Sequence, residues 1–322
     1  MTLHTRLATL ADLPRAYELI LAGGRGIHDA ATLERLPVLW RELLVARRLE
    51  MHVFVDDALP EAERIQGVAS GAWVSDAFAD GLIGRGGEPG AARRMIEAER
   101  SGRSVILTRE QAAQANRDGG VNGVGFDFAF AHVDWTLPRA LRWTPMLLES
   151  GRLWLDGWKL RMAVRECFGR DLYLMVRAMG VTVFHRHTKR DGRLLAPDQR
   201  RYLTGITRER ARRMPVALAT MMFFTDRVPR FRFTRAEQDL LLLALRNHDD
   251  DACAAELHLS SHTIKTRWRS IFAHVAEQQP EWFPSDEAAD GRRGVAKRRH
   301  LLAYLTKHME EVRPRAPDPA RP

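Results

Sequence analysis

Residues 233–272 read FTRAEQDLLLLALRNHDDDACAAELHLSSHTIKTRWRSIF, and their spacing predicts three consecutive helices. Thr234 is followed three residues later by Glu237, the capping-box spacing in which each side chain satisfies a main-chain N–H of the other. Leu240, Leu241, Leu243, Ala244 and Leu245 give the first helix a buried side. Asn247, which tolerates the left-handed conformation, is placed to end it. Asp249, Asp250 and Asp251 cap and fill the first turn of a shorter second helix, whose apolar residues are Cys253, Ala254 and Leu257. A turn over His258-Leu259-Ser260-Ser261 offers a hydroxyl as the next cap. The third helix is expected from His262 to about Val275, with Ile264, Trp268, Ile271 and Phe272 inward and Lys265, Thr266, Arg267 and Arg269 outward.

A short helix, a tight turn and a second helix with a basic outer face is a geometry that fits a DNA major groove. The stretch resembles the LuxR-type helix-turn-helix module without gaps, most closely over LSSHTIKTRWRSIF (259–272). The resemblance implies a bacterial transcription regulator. In it, Lys265, Thr266 and Arg269 would meet base edges, and Ser260, Thr263 and Arg267 would meet phosphates. A bidentate arginine on guanine contributes about 1–3 kcal/mol of discrimination, whereas a phosphate contact positions the protein without reading sequence. The acidic run at Asp249–Asp251 departs from the family pattern. Over 234–275, five cations face six carboxylates, so the module is formally −1. The continuation EQQPEWFPSDEAADGRRGVAKRRHLLAYLTKHMEEVRP (277–314) supplies a basic cluster of Arg292, Arg293, Lys297, Arg298 and Arg299. Arg298 and Arg299 are expected to add phosphate contacts. Leu301, Leu302, Leu305, Met309 and Val312 form an apolar stripe, suited either to the module's own core or to a dimer contact.

The 322 residues are 45% hydrophobic and 28% charged, enough for one large domain and a smaller one. A formal charge of +9 favours a polyanionic partner only modestly. Cys167 and Cys253 lie in apolar patterns with no CxxC or Cys/His spacing, so neither a zinc site nor a disulfide framework is expected. The opening residues lack the signature of a signal peptide and no run of eighteen apolar residues occurs. The expected location is cytoplasmic, away from the membrane.

Residues 1–228 read as a mixed α/β domain. Strands are expected at Leu3–Thr9, His52–Val55, Ile65–Val74, Val121–Asp134 and Val181–His185. Helices are expected from Asp12 as cap, over 30–48, over Ala91–Ser101, over a long span Leu147–Phe168, and over Leu172–Met179. Residues 188–205 read as a polar surface loop, and DRVPRFR (226–232) as a linker. This order is similar to the GNAT acyltransferase fold, with LATLADLPRAYELI (7–20) as its first strand and helix and RAMGVTVFH (177–185) as its closing pair. The resemblance implies a Gly-rich phosphate loop after the central strand. AHVDWTLPRALRWTP (131–145) has no glycine there, so ordinary acyl-CoA binding is not expected. The glycines of GGVNGVGFDF (119–128) precede the strand and read as a turn. His132 with Asp134, and His185 with His187, are candidate catalytic or metal groups, and Trp135, Trp143, Trp154 and Trp158 are candidates for a pocket or for the core.

The expected fold class is α+β: a mixed α/β domain with GNAT-like topology (1–228), an all-α helix-turn-helix domain with a helical extension (229–315), and a disordered tail (316–322). The leading functional expectation is a one-component regulator that is not an enzyme, binds double-stranded DNA as a homodimer, and senses an unidentified ligand. It has no catalytic residues, metal or cofactor. The alternative is an acyltransferase-like enzyme fused to a DNA-binding module.

Overall fold

A computed structural model describes residues 3–23, 30–84, 90–131, 143–190, 192–245, 248–283 and 293–316. The chain forms two compact units, Met1–Thr225 with Arg315–Pro322, and Asp226–Pro314. Residues 317–322 of the expected disordered tail lie outside the described residues.

The first unit runs β1 (Leu3–Leu7), α1 (Leu13–Gly23), α2 (Ala30–Val45), β2 (Glu50–Asp56), β3 (Ile65–Val74), α3 (Asp76–Ile83), α4 (Ala91–Arg100), α5 (Arg109–Arg117) and β4 (Val121–Phe130). It continues with α6 (Thr144–Leu155), β5 (Leu160–Phe168), α7 (Arg170–Ala178), β6 (Thr182–His187) and a small hairpin of β7 (Lys189–Arg190) and β8 (Arg193–Leu194). β9 (Arg201–Thr207), α8 (Arg208–Arg213) and α9 (Leu218–Phe223) complete it. Seven strands form one sheet in the order β1-β2-β3-β4-β5-β9-β6. All neighbours are antiparallel except β4 and β5, which are parallel and joined through α6. A parallel pair requires such a crossover. This mixed sheet, with two helices between its first two strands, is GNAT-like in topology.

Helices cover both faces, so the central strands read as nearly continuous apolar runs rather than alternating ones. Met51 through Asp56 of β2 are all buried. On one face Leu19, Ile20, Leu36, Trp40 and Leu43 of α1 and α2 pack with Val68, Ala72 and Val124 of the sheet. The buried Asp127 carboxylate on β4 accepts bonds from the Trp40 indole N–H (3.0 Å) and the Ser70 hydroxyl (2.9 Å).

Three local expectations are corrected. The single helix over Leu147–Phe168 is a helix and a strand: α6 stops at Leu155, Asp156 is extended, and Gly157 turns the chain at φ 82°. The helical spacing of Leu155, Trp158 and Met162 coexists with strict alternation in β5, where Leu160, Met162 and Val164 are buried between less buried neighbours. Period alone does not separate the two for a short apolar run. The expected loop over 188–205 contains the hairpin and the start of β9, whose sequence RYLTGIT is a strand because β5 and β6 flank it on both sides. Asp12 caps a 3-10 turn ahead of α1, accepting the Thr9 N–H at 2.7 Å and two bonds from Arg6 at 2.7 and 2.8 Å.

The second unit contains α10 (Arg235–Leu245), α11 (Asp250–Leu257), α12 (Ser261–Gln278) and α13 (Arg293–Leu305), followed by a 3-10 turn at Met309–Val312. Its starts follow local capping. Glu237 accepts the Thr234 N–H (2.8 Å), Asp249 accepts the Ala252 N–H (2.8 Å), and Ser260 accepts the Thr263 N–H (3.1 Å). His258 ends α11 in the left-handed region at φ 53°. Asn247 lies outside the described residues. Leu301, Leu305, Met309 and Val312 share one core with Phe231, Leu240, Ile264 and Ile271. The apolar stripe of α13 is therefore spent on the unit's own core. Among the described residues, no helix is long and apolar enough to cross a membrane.

Candidate functional site

The β4–β5 ladder spans Val121–Gly125 against Leu160–Arg165 and stops there, while β4 continues to Phe130 along β3 and β5 continues to Phe168 along β9. The two strands thus part in the middle of the sheet. A bulge at Ser70/Gly71 accompanies the parting. On the face of the sheet that carries α6, α7 and α9 lies a cavity of about 670 Å³, within the range typical of small-molecule sites. Its floor comes from β2, β3, β4, β5 and β9, and its walls from the three helices. Glycines make the space. A Cβ on Gly71 would come within 2.5 Å of the Trp154 ring, and one on Gly125 within 3.2 Å of the Arg165 Cβ, so both side chains lie flat over glycine backbone.

The polar groups of this cavity are few. His52 on β2 is buried, and its Nδ1 lies 2.8 Å from the Ser150 Oγ on α6. Which atom donates depends on the tautomer. Arg165 on β5 spreads its guanidinium 4.5 Å from the centre of the Phe128 ring on β4, bridging the two parted strands. Burial pushes its pKa down from the ordinary value. The next residue, Glu166, points to the opposite face and accepts the N–H groups of Gly90 (2.6 Å) and Ala91 (3.0 Å) at the start of α4. Thr204 on β9 lines the cavity and contacts the Cys167 thiol at 3.3 Å. Burial pushes the Cys167 pKa up.

Of the candidates named from sequence, Trp154 lines the cavity, whereas Trp143 and Trp158 sit in apolar clusters of the core. His132, Asp134 and Trp135 lie outside the described residues. His185 and His187 stand on the edge strand β6 with ring centres 6.1 Å apart, away from the cavity lining. Burial, then the charges of His185 and Arg201, lowers the His187 pKa. No group of three potential metal ligands occurs among the described residues. The glycines of 119–128 are corrected in part: Gly120 turns the chain into β4 at φ 104°, whereas Gly123 and Gly125 lie within the strand, paired with β3 and β5. Sequence reasoning missed Arg165 and Thr204 because they fall in segments read as helix and as loop, and missed His52 because nothing local marks it.

In the second unit, Lys265, Thr266 and Arg269 are exposed on α12, and Arg267 is partly buried. Ser260 and Thr263 are tied to each other at the helix start, their hydroxyl oxygens 2.8 Å apart. Arg299 is exposed. Arg298 is engaged: it donates to Asp250 at 2.7 Å and to the His248 carbonyl at 3.2 Å, and its guanidinium lies 4.5 Å from the Trp268 ring centre. Asp250 is thereby ion-paired inside the unit. Arg292 and the Arg293 side chain lie outside the described residues.

No family model matches the chain, and no curated protein sequence matches it. Solved structures align with it. Arabidopsis thaliana NAA60 in complex with acetyl-CoA is 11% identical, covering 65% of this chain and 99% of its own, with a TM-score of 0.38. A histone acetyltransferase HPA2-related acetyltransferase from Corynebacterium glutamicum is 14% identical, covering 63% and 96%, with a TM-score of 0.36. The spermidine/spermine N-acetyltransferase SpeG from Vibrio cholerae is 8% identical, covering 64% and 92%, with a TM-score of 0.36. The aligned structures are acetyltransferases, and no family model supports a LuxR-type module. The expectation of a LuxR-type transcription regulator that is not an enzyme is corrected on these findings.

Proposed function

We propose that the 1–225 unit is an acyltransferase-type enzyme whose chemistry takes place in the cavity beside the parted strands β4 and β5. The observation that carries this reading is His52, buried against Ser150 on the wall of that cavity. A neutral imidazole in this place can accept a proton from an attacking N–H or O–H as the nucleophile adds to the carbonyl carbon of a thioester. The tetrahedral intermediate then expels the thiolate, which takes the proton back from the imidazolium. An ordinary acyl-CoA phosphate loop does not fit the residues present. The stretch 131–145 has no glycine, and α6 starts with Pro145 in its first turn. A proline there removes one of the N–H groups that would face a phosphate.

The test uses the full chain, octanoyl-N-acetylcysteamine as a thioester without a nucleotide, and spermidine or a peptide amine as acceptor. Acceptor-dependent thiol release is expected, slowed by roughly 10²–10⁴-fold in His52→Ala. Thiol release no faster than in buffer, or unchanged in the variant, would remove the reading. Calorimetry with acetyl-CoA reports separately on a nucleotide site.

For the helical unit we propose double-stranded DNA as partner, on the exposed row Lys265, Thr266 and Arg269. Removing Lys265 and Arg269 together is expected to weaken binding of a 30-bp duplex at least tenfold, since each such contact contributes about 1–3 kcal/mol. Equal anisotropy curves for the wild-type chain and the double variant would count against it.

A further inference from the structure

Among the described residues, the cavity of the first unit is lined by one permanent cation, Arg165, with no carboxylate beside it. Arg165 lies in its floor, and among the described residues its guanidinium has neither a carboxylate partner nor a hydrogen-bond acceptor; the Phe128 ring lies 4.5 Å from it and the Gly125 backbone beneath it. Among the described residues Glu50 is the single carboxylate of the lining, and it stands on β2, three strand spacings from β5, roughly 14 Å of backbone separation. Glu166, next in sequence, is committed on the other face to the start of α4. An unpaired guanidinium in a largely apolar enclosure is unfavourable, and it becomes favourable when an anion with two oxygens meets its planar fork.

The rest of the enclosure is suited to hydrocarbon. Leu147, Trp154, Leu172, Val176 and Phe223 form the walls, and Leu174 and Leu218, both lining residues, are each 45% exposed. Exposed leucines on a lining are the sign of an apolar mouth through which a chain can enter or leave. We propose that this cavity binds a carboxylate amphiphile, with the carboxylate held by Arg165 between the parted strands and the hydrocarbon chain running past α7 and α9 toward Leu174 and Leu218. The proposal concerns binding and does not rest on acyl transfer. A chain that transfers no acyl group could still bind the amphiphile, and the reverse holds as well.

The probes are dodecanoate and its neutral counterpart dodecanol, each competing with a fluorescent fatty acid for the full chain. Dodecanoate is expected to bind at least tenfold more tightly than dodecanol. Arg165→Met is expected to remove that preference while leaving dodecanol within twofold. Val176→Trp, which fills the cavity, is expected to weaken both ligands. Equal affinity for the two probes in the wild-type chain overturns the proposal, as does failure to bind either. A dodecanoate preference that survives in Arg165→Met would place the anion site elsewhere and overturn it too. The wild-type comparison decides the matter even if a variant fails to fold.

Discussion

Gly205→Ala lowers the stability of the first unit by about 3 kcal/mol, roughly 6–12 °C in Tm for a domain of this size. Gly205 pairs with Val164 of β5 on one side and with Thr182 of β6 on the other. A Cβ at this position would overlap the Ala163 carbonyl oxygen and come within 2.6 Å of Val164 Cγ1 and 2.7 Å of Val164 Cα. Two of these three obstacles are backbone or are attached rigidly to it, so no rotamer change relieves the contact. β9 would have to move away from β5, and the ladder on its other side prevents that. Gly119→Ala, with nothing within 4 Å of the new methyl, serves as control and should stay within about 0.5 kcal/mol. A Gly205→Ala loss as small as that of the control would mean that the β5–β9 contact is looser than described. Because Thr204 and Gly205 both line the cavity, the variant should also disturb ligand binding.

The second large effect is expected at Glu311, in the helical unit. Its carboxylate is almost fully buried (1% exposed) and accepts the N–H groups of Arg230 (2.8 Å) and Phe231 (2.9 Å) and the Tyr304 hydroxyl (2.9 Å). These bonds hold the segment before α10 against the C-terminal turn, 80 residues away in sequence at Phe231. Burial, reinforced by the Glu311 charge, pushes the Tyr304 pKa up. Glu311→Gln keeps the shape and replaces one accepting oxygen with an NH₂ that faces a donor. The lost bond and the orphaned N–H cost about 2–4 kcal/mol. Hydrogen exchange at the Arg230 and Phe231 amides is the local readout, since these protons lose protection directly. Unchanged exchange rates at both amides, together with unchanged unfolding, would sink this assignment.

The helical unit was legible because its determinants are local. Thr234 with Glu237, Asp249 with Ala252 and Ser260 with Thr263 are bonds three residues apart, so spacing alone locates the starts of α10, α11 and α12. What that unit binds was not legible at the same level. Arg298 has the composition of a phosphate contact, yet it is held by Asp250 and Trp268, and only packing shows it. In the first unit, strands β2, β3 and β4 could be read from their apolar runs. β5 and β9 could not, because LRMAVRECF carries both periods and RYLTGIT has polar flanks.

By itself, then, the amino-acid sequence determined the three helix starts within residues 233–275 and the strand–helix–helix–strand opening of the first unit. Hydrogen bonds and apolar periods within a few residues suffice for those. Only the tertiary structure decided where β4 and β5 part, that β9 lies between β5 and β6, and that His52, Ser150 and Arg165 line one cavity. His52 and Ser150 are 98 residues apart, and no local bond relates them. Their meeting follows from strand order, and strand order is set by packing across the whole sheet.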